Sequence, residues 1–171
     1  MFRTNSARDV SSTGKVLIDA GGGVTLEVPT NLAEHPALYA SGMRDVAGSI
    51  LSGWQVYSST SGARLSRQGA TVTLALDLIR TGEGLNPRGE PEPTFAEVIP
   101  IPVGFQPIGV GFIQPAKAAT NGRPGGWWDR VVTNLRIRDL DASFPTGTRI
   151  TNVLSWQTID PIPTTLPGTP A

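Results

Sequence analysis

The composition of this 171-residue chain sets its first limits. It has 14 basic and 14 acidic side chains, spread along the sequence, and no cysteine. Without cysteine there are no disulfides, no thiolate metal ligands and no thiol nucleophile. The balanced charge lacks the basic stripe that nucleic-acid binding requires, so nucleic acid is not an expected partner. No apolar run approaches the ~20 residues that span a bilayer, so neither membrane insertion nor a Sec-type leader is expected.

Glycine and proline are frequent and evenly scattered, with 20 and 15 copies. Each glycine costs about 1 kcal/mol and each proline about 3 kcal/mol inside a helix, so short strands joined by turns are expected. Residues 16–19 and 24–28, separated by Ala20 and three glycines, predict a first β-hairpin. The alternation is lost between Asn31 and Ser41, where Asn31 would cap a short helical turn that Pro36 ends.

Strand patterns return after Gly53, and the clearest of them runs from Thr71 to Leu78. Its apolar positions predict one core face, and its polar positions predict the opposite face, because side chains alternate along a strand. The predicted core residues are Val72, Leu74, Leu76 and Leu78, and Thr71, Thr73 and Asp77 face the other way. Trp54 and Trp156 lie in strand patterns and are expected in the core. The other predicted strands are 54–57, 63–66, 95–99, 108–113, 131–138 and 149–156, with a turn at residues 67–69.

Two further segments are rich in glycine or proline, which disfavour regular secondary structure. Residues 82–93 predict an exposed loop without ladder hydrogen bonds, and the proline-rich residues 161–171 are expected to run extended over a surface. Together these features predict an all-β fold, an antiparallel β-sandwich of jelly-roll type. The expected organisation is an N-terminal arm or hairpin over 1–41, which is a candidate docking segment, a sandwich domain over 42–160 and the C-terminal tail.

The motifs of common enzyme classes are missing from the sequence. There is no G-x-S-x-G nucleophile elbow, and Gly109-Val110-Gly111 lacks the third glycine of a dinucleotide-binding turn. His35 is the only histidine, which excludes two-histidine zinc sites and paired imidazole acid–base schemes. We therefore expect no enzymatic activity and no cofactor.

The acidic residues also favour a solvated surface over a site. Asp139 and Asp141 supply too few oxygens for calcium, which takes six or more. The acidic residues of the 82–93 loop lack the rigid support that fixes a pair of catalytic carboxylates. No bound metal is expected.

The most suggestive cluster of the sequence is Trp127-Trp128-Asp129-Arg130, which follows two glycines. A tryptophan face beside a carboxylate and a guanidinium is a common way to hold a sugar, and exposed aromatic residues mark binding surfaces. The alternative is that the tryptophans belong to the core or to a subunit interface. Because adjacent strand residues face opposite ways, one buried tryptophan and one at an interface is the favoured arrangement.

Three stretches resemble the C-terminal β-sandwich module of phage tail and head fibres, specifically that of minor tail proteins from phages that infect actinobacteria. The first begins at Gly53-Trp54 and continues, after a serine-rich turn, through residues 64–74. The second is Ile101-Pro102-Val103-Gly104-Phe105-Gln106-Pro107, and the third runs from Trp156 to Gly168 and ends in Thr-Thr-Leu-Pro-Gly. The resemblance covers residues 42 to 171, and the third stretch is its most specific part.

The resemblance implies a virion component that builds or decorates the tail tip and contacts the host cell envelope, with no catalytic residues. It implies other virion proteins as partners and a homo-oligomer, with a trimer as the expected form. The expected location is the virion, at the tail rather than the capsid, after synthesis in the host cytoplasm. The short chain favours a small accessory subunit over a receptor-binding fibre tip. A capsid decoration or head-fibre protein and a module binding cell-wall carbohydrate remain as alternatives.

Overall fold

A computed structural model describes residues 40–58, 62–109 and 125–171, and the backbone alone of 9–10, 15–19, 25–29, 111–117 and 124. The chain divides into two compact units, Met1–Tyr39 and Ala40–Ala171. The predicted helical turn near Asn31 lies outside the described residues, as does His35.

The first unit contains a three-stranded antiparallel sheet. Its strands are β1 (Asp9–Val10), β2 (Lys15–Asp19) and β3 (Thr25–Pro29), in that order across the sheet. β2 and β3 pair in register from Lys15 opposite Pro29 to Asp19 opposite Thr25, so the predicted first hairpin is present. β1 adds a short third strand to it, with Asp9 opposite Leu17.

The second unit contains two antiparallel sheets. The six-stranded sheet has the order β12 (Arg149–Gln157), β7 (Thr71–Arg80), β6 (Ala63–Gln68), β4 (Arg44–Asp45) and β13 (Thr169–Pro170), and β5 (Trp54–Val56) also pairs with β7. The four-stranded sheet has the order β8 (Ala96–Pro100), β11 (Asn134–Arg138), β10 (Pro124–Val131) and β9 (Gly111–Lys117). A 3-10 turn spans Ala47–Ser49. The predicted all-β fold is confirmed: about 46% of the residues are in strands, and the antiparallel sheets curl into a half-barrel, consistent with a β-sandwich.

The core of this unit lies on one face of each sheet. Along β7 the buried residues are the predicted ones, and the strand ends on a fifth buried side chain, Arg80. β12 alternates in the same way, and Trp54 and Trp156 are buried as expected. The four-stranded sheet contributes a second apolar face, because Val98, Leu135 and Ile137 are fully buried. Alternating strands therefore carry the core on both sheets.

The segment predicted as an exposed loop, residues 82–93, is anchored in its first half. Leu85 is buried and forms an antiparallel bridge with Phe144, through hydrogen bonds of 2.9 and 2.8 Å between their backbones. Asn86 donates twice within the loop, through its backbone N–H to Pro93 O and through its side-chain amide to Pro91 O, both at 2.8 Å. The prediction of a segment without ladder hydrogen bonds was wrong here, because a single leucine among the breakers reaches the core and brings its backbone into pairing.

The segment predicted as one strand over 131–138 is instead the centre of a hairpin. β10 ends at Val131, and β11 begins at Asn134, with Val132 and Thr133 as a two-residue connection. Val132 adopts a left-handed conformation with φ of 54°, which valine disfavours. Hairpins of this length usually use glycine or asparagine there, so the sequence carried no turn signal. The strand predicted from residue 108 begins at Gly111.

The last residues are held against the sandwich. Leu166 packs against the core, and β13 pairs with β4. The guanidinium of Arg44 donates to the carbonyl oxygens of Pro167 and Gly168 at 3.0 and 2.9 Å. The final residue, Ala171, donates its backbone N–H to Met43 at 3.1 Å. The proline-rich tail thus closes one edge of the six-stranded sheet.

Candidate functional site

The two adjacent tryptophans of the candidate cluster point to opposite sides of β10. Trp128 is fully buried, and its indole N–H donates to Asn152 Oδ1 at 3.1 Å. Trp127 is 42% exposed on the outer face. The expectation that one of the two is buried is confirmed, and the candidacy of Trp128 as a surface contact was wrong, because the alternation of the strand places it in the core.

Asp129 lies on the same side of the sheet as Trp127, but it is buried within an ion-pair network. Arg136 binds its carboxylate with two hydrogen bonds, Nε to Oδ1 at 2.9 Å and Nη2 to Oδ2 at 2.7 Å. Arg138 Nη1 approaches the same Oδ2 at 3.4 Å. The hydrogen bond to Asp129 raises the pKa of Arg136. Asp129 therefore orients two arginines rather than presenting a free carboxylate.

Arg130 joins the β10–β11 hairpin to the segment that follows β8. Its guanidinium donates to Val132 O at 2.7 Å, to Pro107 O at 2.8 Å and to Gln106 Oε1 at 3.0 Å. These partners are two backbone carbonyls and a side-chain amide, so the arginine fastens a loop. Of the four candidates, Trp127 is the one whose side chain is substantially exposed on the outer face.

The outer face of the four-stranded sheet brings further polar and aromatic residues beside Trp127. Across the strands, Trp127 is opposite Arg138, and Asp129 is opposite Arg136, which is in turn opposite Glu97. Phe95, 42% exposed, places its ring 4.9 Å from the guanidinium of Arg136. A cleft of about 220 Å³ opens on this face. Its lining includes Arg88, Thr94, Phe95, Arg136, Arg138 and Asp139.

A glycine lets Trp127 take this position. Gly126 has φ of 145°, and a Cβ there would lie 2.5 Å from the carbonyl oxygen of Arg138 and 2.9 Å from the Leu140 side chain. Only glycine allows β10 and β11 to approach so closely at this point. Gly126 thus has a local structural cause, and the exposed tryptophan follows it directly.

A second cluster, at the end of β6, is structural. Arg67 is 3% exposed, and its guanidinium contacts four backbone carbonyl oxygens. They belong to Gly69 at 2.8 Å, Gly104, Pro161 at 3.1 Å and Asp160 at 2.9 Å. We call this group the Arg67 junction. Each of the three stretches that carry the sequence resemblance supplies at least one of these carbonyls.

The carboxylate of Asp160 completes the Arg67 junction. Its Oδ2 accepts backbone N–H bonds from Gly104 at 2.9 Å and Gln106 at 3.0 Å. The ring of Pro163 packs on Gly104, where a Cβ would lie 2.8 Å from the proline, and the φ of this glycine is 91°. Trp156 donates its indole N–H to Phe105 O at 2.8 Å. The turn over residues 101–107 and the C-terminal segment are therefore fastened to each other and to β6.

Arg80 is a second buried arginine, at the core-facing end of β7. Its guanidinium lies 5.0 Å from the centre of the Trp54 ring and donates to Glu83 O at 2.9 Å and Gly53 O at 3.1 Å. Burial lowers the pKa of Arg80 from its usual value. Its role is to close the loop after β7 against the start of β5.

The outer face of the six-stranded sheet carries a third charged group. Arg149 donates to both oxygens of Asp77, at 2.7 and 2.8 Å, and lies 3.8 Å from the centre of the Tyr57 ring. Thr151 donates to the same carboxylate at 3.0 Å. The hydrogen bond to Asp77 raises the pKa of Arg149. This surface pairing contributes little to stability because water screens it.

Two of the acidic residues that the sequence analysis considered for a metal site or a catalytic pair are engaged in local contacts. In the part of the chain that the structure describes, no three His, Asp or Glu side chains are placed to hold a metal ion. Asp139 instead pairs with Arg138 at 3.0 Å, and Glu92 accepts the backbone N–H of Thr94 at 2.7 Å.

Within the described ranges, no helix has the length and apolar character needed to cross a bilayer. No family model, curated protein or solved structure matches the chain.

Proposed function

We propose that the chain is a non-enzymatic structural component of a bacteriophage virion, built into the tail or tail tip as a minor tail protein. The observation that carries the proposal is the Arg67 junction. The three stretches that resemble the phage module are far apart in sequence, yet they meet at one buried guanidinium. Three similar segments that contact one another support a shared fold better than three similar segments that lie apart.

A surface suited to assembly lies beside this junction. Its members, which we call the apolar end, are large aliphatic side chains at high exposure: Val103 72%, Ile108 58%, Val132 74% and Ile159 81%. Hydrogen bonds bring the segments that carry them together. Ile108 N–H donates to Gln157 O at 3.0 Å, and the Arg130 guanidinium bridges Pro107 O and Val132 O. Gly104, next to Val103, donates its N–H to Asp160, next to Ile159, at 2.9 Å. Single exposed apolar residues are ordinary, whereas a group of them marks a contact surface.

The proposed partners of the apolar end are neighbouring subunits of the particle. The charged side chains of this unit support a rigid building block, since Arg67, Arg80 and Asp129 bind its own loops and strands. The resemblance adds a homo-oligomer, with a trimer as the expected form. A capsid decoration or head-fibre role is the alternative location for the same block.

Labelling the intact particle tests the location. The C-terminal residue Ala171 is exposed at the edge of the six-stranded sheet, so a peptide tag added after it leaves the junction intact. Electron microscopy of gold-labelled particles is expected to show label at the distal tail, with untagged particles as the control. Label over the capsid lattice would move the proposal to the decoration role, and label-free purified particles would refute a virion protein.

A substitution in the apolar end tests its part in assembly. Ile159→Asn is expected to reduce incorporation into particles at least about tenfold, since about 1.4 kcal/mol of lost contact energy already gives that factor. Val153→Asn is the matched control, because Val153 is 65% exposed but lies on β12, on the outer face of the six-stranded sheet. Equal incorporation of both variants, measured by quantitative mass spectrometry of purified virions, would exclude the apolar end as the contact.

A further inference from the structure

The outer face of the four-stranded sheet presents two aromatic side chains across three strands. Trp127 on β10 is opposite Arg138 on β11, and Phe95 directly precedes Ala96, which is opposite Ile137. Neighbouring strands lie about 4.8 Å apart, so the two aromatic positions are separated by about 10 Å. Both are 42% exposed. They form the two ends of a strip with arginine between them.

The cleft beside this strip holds hydrogen-bond donors and acceptors together. Arg88 is 79% exposed, and its Nε lies 3.8 Å from Asp139 Oδ1, which leaves most of its donors facing solvent. Arg136 commits Nε and Nη2 to Asp129, and its guanidinium lies over the Phe95 ring, 4.9 Å from the ring centre. Thr94 is held in place by Glu92, which accepts both its N–H and its hydroxyl.

The charges of the cleft narrow the kind of ligand. The lining of the cleft carries three arginines, Arg88, Arg136 and Arg138, and one carboxylate, that of Asp139. Two further carboxylates act on these arginines: Asp129 binds Arg136 and Arg138, and Glu97 interacts electrostatically with Arg136. Because the charges offset each other, the cleft has no excess of either sign with which to select a strongly charged ligand. A ligand that both donates and accepts hydrogen bonds and has apolar ring faces fits it best.

We propose that this face binds a neutral oligosaccharide. Sugar hydroxyl groups donate and accept at once, which matches neighbouring guanidinium and carboxylate groups, and the C–H face of a sugar ring packs on an aromatic ring. Trp127 and Phe95 would hold the ring faces, while Arg88 and Asp139 would bond the hydroxyl groups. The ion pair of Asp129 with Arg136 fixes one guanidinium in advance, which reduces the ordering cost of binding. The proposal goes beyond the virion role and does not depend on it.

Tryptophan fluorescence reports on this face selectively. Of the four tryptophans, Trp54, Trp128 and Trp156 are exposed by 8% or less, and Trp127 is the exposed one. The purified full chain is first screened on an array that displays neutral oligosaccharides, with polygalacturonate and heparin fragments as anionic comparisons. The neutral glycan that binds most strongly on the array is then titrated into the protein up to about 1 mM while tryptophan emission is recorded. If no glycan binds more strongly than the others, each neutral glycan is titrated in this way.

The expected result is saturable binding of at least one neutral glycan with a change in tryptophan emission. Trp127→Ala and Phe95→Ala are each expected to weaken binding at least about tenfold, because each removes one of the two aromatic faces. Binding by the variants is measured by titration calorimetry, since Trp127→Ala removes the fluorescent reporter itself. Tyr57→Ala is the matched control: it is an exposed aromatic residue, 49%, on the other sheet, and binding is expected to stay within about twofold.

Three results would overturn the proposal. They are no neutral glycan bound up to the highest concentration, binding of the anionic fragments alone, and equal loss of binding in the Tyr57→Ala control. Circular dichroism and a melting curve for each variant separate loss of binding from loss of folding. A chain that binds glycans but is missing from purified particles would refute the virion role and leave the glycan site standing, so the two proposals fail separately.

Discussion

Replacing Arg67 by methionine is expected to destabilise the Ala40–Ala171 unit by about 3–5 kcal/mol. Methionine keeps the apolar stem of the side chain and ends where the guanidinium begins, so the change removes the charged donors and keeps the packing of the stem. Four buried or half-buried carbonyl oxygens then lose their donor. A hydrogen bond from a charged donor contributes about 1.5–3 kcal/mol, and the hydration that the buried cation gives up offsets part of the total.

The matched control for this experiment lies on the same strand. Arg64 is exposed and three residues before Arg67 on β6, on the opposite face, so Arg64→Met is expected to change stability by less than about 0.5 kcal/mol. Arg67→Lys should fall between the two, because lysine keeps the charge but loses the planar fork that reaches several carbonyls at once.

The assay is urea unfolding followed by tryptophan fluorescence. All four tryptophans lie in the Ala40–Ala171 unit, so the signal reports on that unit. The slope of the free energy against urea should stay constant if the whole unit still unfolds together. Equal stability of Arg67→Met and Arg64→Met would refute the junction as a source of stability.

Three further predictions concern the same unit and use the same assay. Leu76→Ala on the core face should cost about 2–5 kcal/mol and Thr73→Ala close to zero, and equal costs would contradict the assigned faces of β7. Gly104→Ala should cost clearly more than Gly89→Ala, by about 1–3 kcal/mol: the two share φ near 90°, but a Cβ meets Pro163 only at Gly104. Val132→Asn should stabilise the unit by about 1 kcal/mol, because asparagine tolerates the left-handed conformation of this exposed turn; no gain would mean that the valine is unstrained.

The alternation of side chains along β6 and β7 is enough to predict that two arginines are buried. Arg67 follows Ala63 and Leu65 in the same register of β6, and Arg80 continues the buried series of β7. An arginine at a core-facing position must find partners, since burying an unpaired charge is costly. Residues 67–69 were instead predicted as a turn, so Arg67 went unrecognised. Its partners lie up to 94 positions away, and no local pattern identifies them.

The candidate binding face was only partly predictable. The exposed position of Trp127 followed from the alternation of a strand, but its neighbours did not. Arg136 and Arg138 reach it through the β10–β11 pairing, and the turn that sets this pairing carries valine where glycine or asparagine is usual. Phe95 was predicted within a strand, with nothing to indicate that β8 pairs with β11.

The sequence by itself determined the all-β class and the buried face of the long strands, because glycine and proline disfavour helices and a period of two assigns each side chain to a face. Only the tertiary structure decided which faces and loops meet: that one guanidinium joins three distant segments, that Leu85 enters the core, and that Trp127 and Phe95 share a surface. The physical reason is that strand pairing and buried polar contacts join residues far apart in the chain, whereas periodicity records only local geometry.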